Sequence, residues 1–349
     1  MSAATSAASG AQGGADQTGS SRPGRAAHPS AALPGKRRSR VHGSPWVPWL
    51  FLAPFLILFA GFVVAPAVYG IFISLHDWDF TFENRPFIGL QNYRDLFDPE
   101  SVISQPFWNG MKNTGLFVLM SVPFLVSLPL LLALLLNRQF PGRTFFRAMF
   151  FAPYVLGVSV IGLMWSYLLD GQFGFINFLF GTNIQWTTEQ PWAWISLVGV
   201  TVWWTLGFNA IIYMAGLADI PTEHYEAASL DGANAWQKFV NITLPGLRPV
   251  LIFIFITTVL ASANMFGQSL LITNGGPTES TRTVLMVMTD LGFSQSRAGA
   301  AAAESYILAL SLAVVSVVQF WLMRDRGAAE ERRALRRANR ALKQNGGAA

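Results

Sequence analysis

Residues 226–232 read Glu226-Ala-Ala-Ser-Leu-Asp-Gly232, and residues 242–245 read Ile242-Thr-Leu-Pro245. This polar stretch lies between two apolar segments, 190–218 and 249–278, that contain no Asp, Glu, Lys or Arg. A helix of about 20 apolar residues spans the roughly 30 Å hydrocarbon core of a bilayer. The arrangement therefore predicts two membrane-spanning helices joined by a polar loop.

Six segments of the chain lack charged residues and approach or exceed the length of a membrane span. Helices are predicted near 47–74, 114–136, 147–169, 193–217, 248–272 and 305–323. Pro54, Pro66, Pro123 and Pro129 fall within the first two, and membrane helices tolerate prolines because neighbouring groups bond the freed carbonyls. A seventh piece, Phe173 to Phe180, is too short to span and is predicted to be interfacial or re-entrant on the outer face. The predicted fold is an all-α polytopic membrane protein with six transmembrane helices.

The composition agrees with a membrane location. Of 349 residues, 52% are hydrophobic and 12% are charged, whereas soluble proteins average about 25% charged residues. The sequence has no cysteine, which excludes disulfides and thiolate metal sites, and no cluster of His and carboxylates suggests another metal site. The net charge of +5 comes from basic residues beside apolar segments, which is typical of membrane orientation signals rather than of nucleic-acid binding.

Lysine and arginine are distributed unevenly between the two sets of loops. With the N-terminus inside, the outer face holds Arg85, Arg94, Lys112, Arg282 and Arg297, and the cytoplasmic face holds the rest of the 24 Lys and Arg. This asymmetry predicts that the N- and C-termini are both cytoplasmic. It also places the loop at 219–245 in the cytoplasm.

The two ends of the chain differ from the apolar segments. Residues 1–45 are predicted to be a disordered cytoplasmic tail, because they carry too little apolar surface to offset the entropy of ordering. The basic run at 36–40 precedes an apolar segment that is too long for a signal peptide, which favours a retained membrane anchor. Residues 324–349 are predicted to form a basic cytoplasmic tail that either lies on anionic lipid or is solvated.

The loop at 219–245 has the features of a short helix, a turn and a second helix. Pro221 and the acidic residues after it suit a helix start. Gly232 permits a change of direction where a Cβ would clash, and residues 233–242 resume as helix. Such a piece fits as a rigid knob into a groove of a partner; a surface helix without a partner is the alternative.

The complete pattern is Glu-Ala-Ala, three residues, Gly, nine residues and Ile-x-Leu-Pro, and it resembles the signature loop of permease subunits in binding-protein-dependent ABC importers. Three further segments are similar to carbohydrate permeases: Phe87-Ile-Gly-Leu-Gln-Asn-Tyr93, Ala215-Gly-Leu-Ala-Asp-Ile-Pro221 and Thr273-Asn-Gly-Gly-Pro277. Residues 46–323 as a whole resemble the first permease subunit of maltose- and glycerol-phosphate-type importers. The resemblance implies the type I ABC importer transmembrane domain. It also implies that a separate ATPase is contacted by Tyr225, Glu226, Ala227, Ala228, Asp231, Gly232 and Phe239.

Polar residues in the fourth and fifth spans are candidates for a solute pathway, because buried polar groups in membranes are costly and mark function or helix contacts. Aromatic rings beside them suit the apolar CH faces of sugars. With the register that the resemblance implies, the predicted pathway residues are Trp204, Thr205, Phe208, Asn209, Thr258, Ser262, Asn264 and Met265. Thr258 and Met265 differ in type from the maltose transporter. For each hydroxyl the alternative is a bond to its own helix backbone.

These observations predict a permease subunit of an ATP-driven carbohydrate importer in the bacterial cell membrane, and not an enzyme. The sequence has no phosphate-loop motif, so the chain is predicted to bind no cofactor and to leave ATP hydrolysis to a partner. The predicted partners are a second permease subunit, for which the resemblance favours a paralogue, a dimeric nucleotide-binding ATPase, an extracytoplasmic sugar-binding lipoprotein and membrane lipid. No nucleic acid is predicted.

Two alternatives stay open. The cargo of the importer could be another neutral solute, or a peptide, amino acid or polyamine; the absence of counter-charges in the spans favours a neutral solute. In a different class, an ion channel or membrane scaffold would work without an ATPase. The absence of acidic residues from the six segments argues against a proton-coupled carrier.

Overall fold

The computed structural model describes residues 46–323 of the chain. The predicted tails, 1–45 and 324–349, lie outside these residues. The chain divides into two compact units, one up to Ile57 and one from Leu58 onward, and the packing reported below lies within the second. Between residues 46 and 323 the regular elements are helices, accompanied by isolated β-bridges that pair His76 with Phe87 and Asp79 with Arg297.

The helices are numbered here in chain order. The long ones are α1 (Val47–Ser74), α3 (Ser104–Leu136), α7 (Trp192–Ala218) and α12 (Ala298–Met323). Two pairs are bent: α4 (Arg143–Val155) with α5 (Val158–Leu168), and α9 (Ala235–Gly246) with α10 (Arg248–Ala263). The shorter helices are α2 (Gln91–Phe97), α6 (Phe175–Phe180), α8 (Thr222–Leu230) and α11 (Val284–Ser294). Between residues 46 and 323, four helices are long and apolar enough to cross a membrane, or up to six spans are present if each bent pair is one span, which confirms the all-α polytopic class.

Two segments that were predicted as continuous helices are interrupted. The segment predicted at 147–169 is the α4–α5 pair, bent by 97°, because Leu156 and Gly157 adopt extended backbone conformations. The segment predicted at 248–272 leaves the α-helix after Ala263, and a π-helical turn follows at Ser269–Thr273. Both interruptions occur in apolar sequence without a proline at the break, so hydropathy alone gave no signal for them.

Helix α12 begins at Ala298, before the predicted start at residue 305. The prediction started this apolar segment after Glu304, because that residue is charged. In the structure Glu304 lies inside the helix and is 0% exposed, so the expectation of spans without acidic residues is wrong for α12. Gly299 allows α12 to lie close to the backbone at His76, because a Cβ at residue 299 would lie 2.3 Å from the carbonyl oxygen of His76.

Helix α3 is central to the packing of the second unit. It contacts α7, α10 and α11 along its 33 residues. Three clusters of buried side chains follow its length, and the α3 residues Phe107, Phe117 and Leu130 belong to successive clusters. In a bilayer such contacts stabilise the fold through close packing and interhelical hydrogen bonds rather than through exclusion of water.

Two of these hydrogen bonds join α7 to α3 next to a proline. Pro129 has no N–H, so the carbonyl of Leu125 loses its donor within the helix. Asn209 Nδ2 donates a hydrogen bond to that oxygen at 3.1 Å, and Tyr213 Oη donates to the carbonyl of Val126, also at 3.1 Å. The neighbouring helix thus satisfies the carbonyl that the proline leaves free.

Candidate functional site

A cavity of about 640 Å³ lies between α3, the α4–α5 bend, α7 and the end of α10. All eight predicted pathway residues line it: Trp204, Thr205, Phe208, Asn209, Thr258, Ser262, Asn264 and Met265. The first four come from α7. The others follow α10 to its end, where the helix is interrupted at 264–266 and Asn264 and Met265 line the same space.

One wall of the cavity is aromatic. Tyr154 stacks on Phe208 with ring centroids 4.3 Å apart and planes 13° apart, and its ring centroid lies 6.3 Å from that of Trp204. Trp204 Nε1 donates a hydrogen bond to the carbonyl oxygen of Leu156 at 3.1 Å, so α7 fixes the bend beside which Tyr154 lies. Stacked rings of this kind form a flat apolar surface.

Sequence reasoning missed several residues of this cavity, including Tyr154, Ser159 and Thr257. Tyr154 and Ser159 belong to the third span, and only the 97° bend brings both beside α7. Because the break after Tyr154 was not predicted, nothing in the sequence indicated that the Tyr154 ring lines the cavity. Thr257 could have been found, because it directly precedes the predicted residue Thr258.

The polar groups of the cavity are partly used within the protein. Thr205 Oγ1 donates to the carbonyl of Thr201 at 2.9 Å, and Asn264 Nδ2 donates to that of Leu260 at 2.8 Å. Thr205 thus follows the alternative given for the hydroxyls, and the Asn264 amide also bonds to its own helix. Thr201 Oγ1 is buried in the cavity wall and has no hydrogen-bond partner among residues 46–323. A buried hydroxyl without a partner is costly.

The part of the chain that the structure describes contributes no Asp, Glu, Lys or Arg to the lining of this cavity. An ion placed there would lack a counter-charge, which is expensive in a membrane interior. Aromatic surface with a few hydroxyl and amide groups is the usual lining of a site for an uncharged polar molecule. The cavity is therefore chemically suited to a neutral, hydroxyl-rich solute.

The segment after α7 consists of helix α8, a turn and helix α9. Gly232 forms the turn with φ of +74°, and its N–H donates to the carbonyl of Ser229 at 3.2 Å. Helix α9 starts with a capping box, in which Asn234 Oδ1 accepts from the Gln237 N–H at 2.9 Å and Gln237 Oε1 accepts from the Asn234 N–H at 2.8 Å. The first of these bonds closes the end of α8, and the other two fix the start of α9.

One side of this segment packs against the membrane helices. Tyr225, Phe239 and Ile242 contact the buried cluster that contains Tyr213 and Leu217 of α7. Tyr225 Oη also lies 3.0 Å from Thr243 Oγ1. Two of the seven predicted coupling residues, Tyr225 and Phe239, thus anchor the segment to the rest of the protein.

The other side of the segment is open. Glu226, Ala227, Asp231 and Gly232 are exposed, and Ala228 is half-buried. Two large apolar side chains beside them are also uncovered, with Leu230 90% and Trp236 70% exposed. Exposed apolar groups on a rigid, anchored helix pair are typical of a surface that binds another protein.

Residues 113–326 match the family model described as "Binding-protein-dependent transport system inner membrane component". Because the match covers more than half of the 349 residues, the chain belongs to this family. It is a multi-pass inner-membrane protein and a permease component of an ABC transporter, which is a transport component and not an enzyme.

Several curated relatives are similar over almost their whole length. The probable starch degradation products transport system permease protein AmyD of Thermoanaerobacterium thermosulfurigenes is 32% identical over 284 residues, covering 80% of this chain and 94% of the relative. The lactose transport system permease protein LacF of Rhizobium radiobacter is 31% identical, with coverages of 80% and 94%. The sn-glycerol-3-phosphate transport system permease protein UgpA of Agrobacterium fabrum is 30% identical, with coverages of 83% and 98%.

The fold also resembles a solved structure. A chain from the crystal structure of a bacterial ABC transporter involved in the import of the acidic polysaccharide alginate superimposes with a TM-score of 0.69. The two chains are 23% identical, and the match covers 80% of this chain and 95% of that one. The likeness confirms the type I importer transmembrane fold expected from the sequence.

Proposed function

We propose that this chain is the membrane-spanning permease subunit of an ATP-driven importer of neutral sugars. It forms half of the solute pathway and couples to a separate ATPase through α8 and the turn at Gly232. The observation that carries the proposal is that one helix, α7, contributes both to the uncharged cavity and to the buried cluster that holds the exposed α8–α9 segment.

The mechanical connection runs along α7. Near the middle of this helix Trp204, Thr205 and Phe208 line the cavity. Toward its C-terminal end Tyr213 and Leu217 belong to the buried cluster against which the α8–α9 segment packs. A displacement of α8 by a closing ATPase would move α7 as a rigid body, because the packed contacts cannot deform continuously. Rocking of two such subunits gives alternating access to the cavity.

Sugar as the cargo is supported by the chemistry of the cavity and by the named relatives. Relatives are named for starch degradation products, lactose and sn-glycerol-3-phosphate, so the neutrality of the cargo is argued from the uncharged lining of the cavity and not from the relatives. The aromatic wall of Tyr154, Trp204 and Phe208 faces a space that also holds hydroxyl and amide groups. Sugars present apolar CH faces and hydroxyls together, and this cavity offers a complement for each.

The proposed orientation follows the distribution of Lys and Arg. It puts both chain termini and residues 219–245 in the cytoplasm, and 77–106 and 273–304 on the outer face. The proposed partners are a second permease subunit that is a paralogue of this one, a dimeric ATPase under the exposed side of α8, and an extracytoplasmic sugar-binding protein at the outer loops.

The test is solute-stimulated ATP hydrolysis by the reconstituted importer. Glu226→Lys reverses an exposed charge in α8 without touching the buried anchors, so the variant should insert normally and lose most of its solute stimulation. Glu223→Lys, which changes another exposed residue of the same helix, is the matched control and should retain stimulation. Normal stimulation in Glu226→Lys would refute the coupling role of this surface.

A further inference from the structure

A second cavity, of about 340 Å³, adjoins the first, and we refer to it as the vestibule. Its lining consists of Phe266, Leu270, Asn274, Gly275, Gly276, Glu279, Arg282, Met286, Thr289, Asp290 and Ser294. Phe266 and Leu270 also line the larger cavity, so the two spaces meet at these side chains. Unlike the larger cavity, the vestibule has charged groups in its wall.

All three charged residues of this lining form one ion-paired cluster. Arg282 Nη1 contacts Glu279 Oε1, and Arg282 Nη2 lies 2.9 Å from Asp290 Oδ2. Gln295 Nε2 donates to the same Asp290 oxygen at 3.0 Å. That hydrogen bond lowers the pKa of Asp290, and the charge of Arg282 acts in the same direction. Two carboxylates and one guanidinium leave one net negative charge at the vestibule.

The backbone that carries this cluster is held in place from α3. Asn113 Nδ2 donates to the carbonyl of Glu279 at 2.8 Å and to that of Arg282 at 3.0 Å. Thr281 Oγ1, between them, donates to the carbonyl of Gly276 at 2.6 Å. The backbone that carries the charges therefore has a defined position in the wall of the vestibule.

We propose that Glu279 and Asp290 make the entrance of the pathway selective against anionic solutes. The subunit then passes neutral sugars and disfavours sugar phosphates and uronates. This inference relies on the orientation in the proposed function, which puts residues 273–304 on the outer face. Lys112, the basic residue beside Asn113, does not line the vestibule.

The physical basis is repulsion across a confined space. A fixed negative charge raises the energy of an approaching anion, and low-dielectric walls focus the field into the cavity instead of dispersing it. The larger cavity offers no compensating cation among its described lining residues. The effect should weaken at high ionic strength, because mobile ions screen exposed charges over about 10 Å at 0.1 M salt.

The chain lacks cysteine, which allows a direct measurement of this selectivity. Ala261 is exposed in the larger cavity, so Ala261→Cys places one thiol beyond the vestibule. The reconstituted importer is treated from the outside with three methanethiosulfonates of similar size: one with a sulfonate, one with a trimethylammonium and one uncharged. Asn183→Cys, at an exposed loop position, reports the intrinsic reactivity of each reagent.

The anionic reagent should modify Ala261→Cys at least about threefold more slowly than the neutral one, after normalisation to Asn183→Cys. Glu279→Gln should abolish most of this difference, and Arg282→Gln should increase it, while the rate of the neutral reagent stays unchanged in both. High salt should reduce the difference in the parent protein.

Equal normalised rates for the anionic and neutral reagents would overturn the inference. So would a thiol at residue 261 that no reagent reaches from the outside, because the vestibule would then not be the entrance. Neither result bears on coupling: the proposed function fails only if Glu226→Lys keeps its solute-stimulated ATP hydrolysis.

Discussion

Asn209 donates a 3.1 Å hydrogen bond from Nδ2 to the carbonyl oxygen of Leu125, the oxygen that Pro129 deprives of its donor within α3. Asn209 also lines the larger cavity. Its Nδ2 therefore stabilises the contact between α7 and α3, and its Oδ1 is the side-chain atom available to a solute. A residue predicted as part of the pathway thus also stabilises the helix pair that encloses the pathway.

Replacing Asn209 should destabilise the protein, and replacing Pro129 in the same variant should restore its stability. Asn209→Leu leaves the Leu125 carbonyl without a donor and should cost about 1 kcal/mol of stability. In Asn209→Leu with Pro129→Ala, the restored N–H at residue 129 can bond that carbonyl. Thermal unfolding of the purified importer should therefore show a lower Tm for the single variant and recovery in the double one. Additive losses would contradict this interpretation.

Tyr154 should contribute to solute binding without contributing to coupling. Tyr154→Leu removes an aromatic ring that lines the cavity and stacks on Phe208, and loss of this surface should weaken solute binding by about 0.5–1.5 kcal/mol. We expect the solute concentration for half-maximal ATPase stimulation to rise about three- to tenfold while maximal stimulation persists. Tyr167→Leu, at an exposed tyrosine outside the cavity, is the control. Identical titration curves for both variants would remove Tyr154 from the pathway.

The buried carboxyl group of Glu304 should lower the free energy of unfolding of the protein. Its side chain is fully buried, and neither carboxylate oxygen has a hydrogen-bond partner among residues 46–323. Glu304→Leu replaces an unsatisfied polar group with an apolar one of similar size, which should raise stability by about 1–3 kcal/mol. Glu304→Gln, which stays polar, should gain less. A lower Tm for Glu304→Leu would show that the carboxyl has a stabilising partner.

The turn at Gly232 should be needed for coupling but not for insertion. Proline cannot adopt its φ of +74° and has no N–H to donate to Ser229. Gly232→Pro should therefore insert and lose solute-stimulated ATP hydrolysis. Gly181→Pro is a matched control, because Gly181 has φ of +62° and its N–H donates to the carbonyl of Asn177. Equal loss of coupling in both would show a general folding defect.

The sequence was sufficient for the class of fold because bilayer length and charge distribution restrict it strongly. Long uncharged segments are visible at once, and the α1 and α7 boundaries lie within one residue of their predicted positions. The eight candidate pathway residues also fall in one cavity, because helical periodicity on α7 and α10 groups side chains of one face.

Features that depend on tertiary contacts could not be derived in this way. Pro153 precedes the bend at Leu156 and Gly157 by three residues, but prolines also lie inside the unbroken helix α3, so a proline alone does not predict a break. The bend is stabilised by Trp204, which lies in another span. Glu304 was taken as a helix boundary because a charge usually ends an apolar segment, yet α12 continues through it. The ion-paired cluster at Arg282 depends on the backbone fixed by Asn113 of α3, a contact far apart in sequence.

The central claim is that the open side of α8 contacts a separate ATPase, and site-directed cross-linking tests it most directly. Leu230→Cys places a single thiol on the most exposed apolar residue of α8, and Asn183→Cys places one on an outer loop. In membranes that contain the whole importer, we expect a short bifunctional reagent to join residue 230, and not residue 183, to a nucleotide-binding subunit. Absence of that adduct in an importer that hydrolyses ATP, or an equal adduct from residue 183, would contradict the account.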